Sequence, residues 1–146
     1  MKPKVAYEYT QWQSAEEMHR DVLRWLSELQ FIKDEHDFLD DLLAEYFLKL
    51  SSEEQYPETV EIVRLLGDNK RMIKTLINDV KKHNNELVVL LDGIDQPYEE
   101  REVKAQHRKL TASTDSFFRD FKELKKNTFT LVIDIMKHDK QKRLLN

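Results

Sequence analysis

Residues 18–50, MHRDVLRWLSELQFIKDEHDFLDDLLAEYFLKL, carry the pattern that decides the fold. Apolar or bulky residues recur there at Met18, Val22, Trp25, Leu29, Ile32, His36, Leu39, Leu43, Tyr46 and Leu50. The steps alternate between four and three residues, which is the seam of a supercoiling α-helix. At a rise of ~1.5 Å per residue this run is about 50 Å of helix. A helix cannot bury its own stripe, so partners of comparable length must come from the rest of the chain.

Two further runs supply them. Ile62, Leu66, Asn69, Ile73, Leu76, Val80, His83, Leu87, Leu90 and Ile94 keep the same alternation, as do Val103, His107, Leu110, Thr114, Phe117, Phe121, Leu124, Thr128, Leu131, Ile135 and His138. Ser14 and Glu17 have the spacing of a capping box, so the first helix is predicted over about 14–50. Pro57 suits the first turn of a second helix over 57–92, because a proline there loses no hydrogen bond. The phase runs through Gly67 unbroken, and the segment DGIDQP (92–97) is the next stop, giving a third helix over 98–144. Residues 1–13, with Val5, Tyr7, Tyr9 and Trp12, read as an N-terminal arm. The prediction is one all-α domain over 1–146, an antiparallel up-down-up bundle of three long helices with coiled-coil-like packing.

Composition excludes other classes. Among 146 residues there are two glycines and three prolines, too few for an all-β fold or for the glycine loops that cradle nucleotides. Cysteine is absent, which removes disulfides, thiolate metal sites and cysteine nucleophiles and suits a reducing, cytoplasmic setting. No run approaches the ~20 apolar residues of a membrane span, and no signal-peptide core follows the first lysines, so no membrane partner is expected. Nucleic acid is not expected either, since the net charge is −4 and the aromatics lie in the seams. The first helix is acidic, whereas Lys122, Lys125, Lys126, Lys137, Lys140, Lys142 and Arg143 make the end of the third basic, so the two attract when side by side.

Segment 21–29, DVLRWLSEL, resembles the first helix of a spectrin repeat, an up-down-up bundle whose first helix carries a seam tryptophan. The resemblance implies the same architecture. The third helix here lacks that family's second tryptophan, and no cytoskeletal role is carried over.

The polar seam residues are candidate sites. With short connectors, His83 is predicted level with Thr114, and Asn69 with Thr128, as buried polar layers that fix register. His36 and His107 are predicted about 10 Å along the bundle from His83, in other layers. A ferritin-like metal centre needs two Glu-x-x-His pairs facing the core. Glu16 and His19 are the one pair, and it lies off the seam, so no metal site, cofactor or catalytic residue is assigned. Leu42, Phe47, Leu48, Phe129, Val132, Ile133 and Met136 are apolar outside the seam and are the candidate interface. The functional expectation is therefore a non-catalytic interaction or scaffold protein, binding another protein or a second copy as a homodimer. The alternative is a metal- or small-ligand-binding bundle of ferritin-like character.

Overall fold

The computed structural model describes residues 13–50, 54–93 and 97–145. They are helical almost throughout, in four helices with no strand among the described residues: α1 (Ala15–Glu45), α2 (Phe47–Leu50), α3 (Tyr56–Asp92) and α4 (Pro97–Leu145). The predicted arm, apart from Gln13, lies outside the described residues, as do Ile94 and residues 51–53 of the first connector.

Local chemistry accounts for the ends. The Ser14 hydroxyl accepts the Glu17 amide N–H at 3.1 Å and donates to the Glu17 carboxylate at 3.2 Å, so one half of the capping box forms and α1 starts at Ala15. Glu16 and Glu17 in that turn also oppose the positive end of the helix dipole. The first seam does not lie on one unbroken helix, because the chain turns at Tyr46. The Tyr46 carbonyl accepts both the Lys49 N–H (3.1 Å) and the Leu50 N–H (2.9 Å), a tightened turn that carries Leu50 into the core. Thr59, itself buried, donates its hydroxyl to the Leu50 carbonyl at 2.8 Å and so satisfies an acceptor left open at the end of α2. α3 passes Gly67 without interruption and ends at Asp92. At Gly93 a β-carbon would come within 2.8 Å of the Val89 carbonyl oxygen, so the exit path needs glycine.

The seams are the core. Every predicted seam position among the described residues is buried except Tyr46 and Leu90, which are half-buried, and His138, which is exposed. Val132, predicted as an interface residue, is only 3% exposed and belongs to the core instead. It directly follows seam residue Leu131, so α4 buries a wider stripe there than one seam.

The helices contribute to two compact units. The first joins the described residues up to Phe31 with those of Ile73–Phe117, around Met18, Val22, Trp25, Leu29, Val80, Leu87, Leu110 and Phe117. The second joins Ile32–Met72 with the chain from Phe118 onward, around Leu39, Leu50, Leu66, Phe121, Leu124, Leu131 and Ile135. In the second unit Lys125 pairs with Glu35 at 2.7 Å and Lys49 with Asp139 at 2.8 Å, so acidic α1 meets the basic part of α4 through Glu35. Lys70 pairs with Asp40 in the same unit.

Candidate functional site

The first unit contains a hydrogen-bonded chain of four side chains. Asp21 Oδ2 accepts from Gln13 Nε2 at 2.8 Å and lies 2.9 Å from His107 Nε2, while His107 Nδ1 lies 2.8 Å from His83 Nε2. A carboxylate only accepts, so His107 carries its proton on Nε2 and presents a lone pair at Nδ1. His83 Nε2 must then be the donor, which leaves His83 Nδ1 as a bare lone pair. That atom is buried and has no hydrogen-bond partner among the described residues. Trp25 stacks on His107 with ring centroids 4.9 Å apart, closing the apolar side of the layer. Asp21 keeps contact with water and lies 3.7 Å from Arg24.

Burial holds both imidazoles neutral. His83 is lowered to about 4, first by loss of solvation and then by the neighbouring His107. His107 is also lowered by burial, with the Asp21 hydrogen bond and charge opposing.

His83 is thus paired with His107 and not with Thr114, whose hydroxyl donates to the Leu110 carbonyl of its own helix at 2.9 Å. Asn69 is paired with His36 at 2.7 Å and not with Thr128, whose hydroxyl donates to the Leu124 carbonyl at 2.8 Å. All four predicted layer residues are buried, but their partners differ. His107 precedes Thr114 by one heptad, and a seam looks the same after a heptad shift, so connector length alone had decided the predicted pairing. For the same reason His107 is a neighbour of His83 and does not stand apart from it. Phe121 meets His36 edge-on at 5.3 Å, and burial lowers His36 despite the Asn69 bond.

Among the described residues no three histidine or carboxylate side chains come together as a metal-ligand set. Glu16 is exposed, and His19 is half-buried with an unpartnered Nδ1. No described helix is long and apolar enough to cross a membrane.

The second unit bears the remaining candidates. Phe47, Leu48, Phe129, Ile133 and Met136 are exposed, Leu48 at 88% and Ile133 at 47%, whereas Leu42 is half-buried. Phe129, Ile133 and Met136 follow one another at helical spacing along α4, and Phe129 also leans on the exposed Phe38 at 6.2 Å. Tyr46, Ile133, Met136 and Leu144 line a groove of 660 Å³ whose rim carries Lys49, Lys137, Lys140 and Arg143. Its one acid, Asp139, is held below the usual carboxylate range by hydrogen bonds from Lys49 and Arg143.

No protein family matches the chain, and neither curated proteins nor solved structures gave a match.

Proposed function

We propose that the protein is a non-catalytic helical bundle that works in protein–protein interaction or as a scaffold, and that it self-associates through the exposed apolar face of its second unit. The observation that carries this reading is the row Phe129, Ile133 and Met136 on α4, exposed alongside Phe47 and Leu48. Apolar side chains that repeat on an outer helix face gain most by meeting another apolar surface. A two-fold dimer in which the face meets itself is the simplest closed solution.

The finer architecture belongs to the same proposal: α1, α3 and α4 alternate up, down and up. The Leu50–Thr59 and His36–Asn69 contacts favour opposed α1 and α3, and the Glu35–Lys125 and Lys49–Asp139 pairs favour α4 running with α1. A cytoplasmic setting without cofactor or nucleic acid fits the cysteine-free chain of net charge −4.

Light scattering at micromolar concentration tests the association. The intact chain is expected to be a dimer, and Phe129→Glu combined with Ile133→Glu to be a helical monomer. Because Lys137 and Lys140 border the face, the dimer should strengthen as salt screens them. A monomeric wild type, or a dimer indifferent to both substitutions, would contradict the proposal.

A further inference from the structure

One sealed side chain of the first unit is left unsatisfied. His83 is 1% exposed, and its Nδ1 has no partner among the described residues, although its Nε2 is bonded through His107 to Asp21. We infer that His83, His107 and Asp21 form a binding site for a single proton, which enters at His83 Nδ1 and lodges as charge on His107 against Asp21.

The hydrogen-bond order dictates the steps. A proton bonds to His83 Nδ1, the only free lone pair on the two rings. His83 then gives up its Nε2 proton to His107 Nδ1. His107 becomes an imidazolium that donates Nε2–H to Asp21 and Nδ1–H to His83 Nε2. His83 returns to neutrality in the opposite tautomer, carrying Nδ1–H. One proton has entered, and the single positive charge rests 2.9 Å from a carboxylate. A second proton would make both rings cations, with their facing nitrogens 2.8 Å apart, so the pair accepts one.

Among the described residues, the groups facing this pair lie on α1, α3 and α4 and at Gln13. Asp21 on α1 faces His107, with Arg24 behind it on the other carboxylate oxygen, and Gln13 adds a neutral donor. From α3 and α4 the two rings face each other. Proton entry trades a bare buried lone pair for a bare buried N–H at His83 Nδ1, which still lacks a partner. Turning that N–H to water relieves it, so uptake loosens α3 around His83. The site lies in the first unit and does not depend on the association surface.

The test is a pH titration of the full chain by nitrogen-15 NMR of the imidazoles, together with Trp25 fluorescence in a Trp12→Phe background. At neutral pH both rings should carry their protons on Nε2. On acidification, His107 and the stacked Trp25 should respond together in one single-proton step. Asp21→Asn keeps an acceptor for His107 but removes the charge, so the step should move to lower pH by about one unit, a tenfold loss of proton affinity. The inference is overturned if either ring carries its neutral-state proton on Nδ1, if the rings titrate in separate steps, or if Asp21→Asn leaves the midpoint in place. Should Asp21→Asn fail to fold, the tautomers and the step count of the wild type decide alone.

Discussion

His83, His107 and His36 tie the stability of the fold to pH at the level of single side chains. Each is held below its ordinary value, His83 at about 4, chiefly by burial. The unfolded chain therefore binds protons near pH 6.5 that the folded chain refuses. Stability is complete above that pH and is lost progressively as pH falls from there to the folded values. From His83 alone the loss is on the order of 2 kcal/mol by pH 5, at ~1.4 kcal/mol per pH unit. Glu61 and Asp139 are lowered by arginine and lysine partners, so what they contribute is present above the carboxylate range and lost only in stronger acid. Urea unfolding at pH 7 and pH 5 should show the histidine loss, and a stability flat over that window would contradict it. Thr114→Val should cost under about 1 kcal/mol, because the hydroxyl bonds only its own helix. Its effect should add to that of His83→Leu within ~0.5 kcal/mol, as measured by chemical denaturation, since the two share no contact in the hydrogen-bond chain.

Helix by helix, the four-three alternation placed most of the buried positions, including His36, His83 and His107, because burial is set by angle around the axis; Tyr46, Leu90 and His138 are the seam positions, among the described residues, that are not fully buried. It could not place partners, because sliding one helix by a heptad leaves every seam residue on its seam. The Asp21–His107–His83 chain was hidden for that reason, and Asp21 itself stands off the seam. The break at Tyr46 was equally silent, since the seam runs through it without a change of phase. The two glycines separate by their surroundings. At Gly67 an added β-carbon meets only the Arg71 guanidinium at 3.6 Å, so Gly67→Ala should stabilise the protein by about 1 kcal/mol, read from its unfolding midpoint. Gly93→Ala meets a backbone oxygen and should destabilise it or fray the end of α3, as seen in amide exchange.

For the whole molecule, the question is what covers the apolar face of the second unit. The sequence revealed the excess of apolar residues at the ends of the first and third seams, since they fall off the four-three positions. It misassigned Val132 because a composition count cannot tell which flank of a seam a neighbouring helix covers. Ile133 is the adjacent residue and stands outside, in the row with Phe129 and Met136. The chain has no cysteine, so one introduced thiol reports one position. Oxidative trapping of Ile133→Cys at micromolar concentration is the most direct measurement of self-association. If the face meets itself across a two-fold axis, Ile133→Cys should form a disulfide-linked dimer in high yield, while Val63→Cys, at an exposed position on α3, should form no covalent dimer. No dimer from Ile133→Cys, or equal trapping at both positions, would contradict the claim.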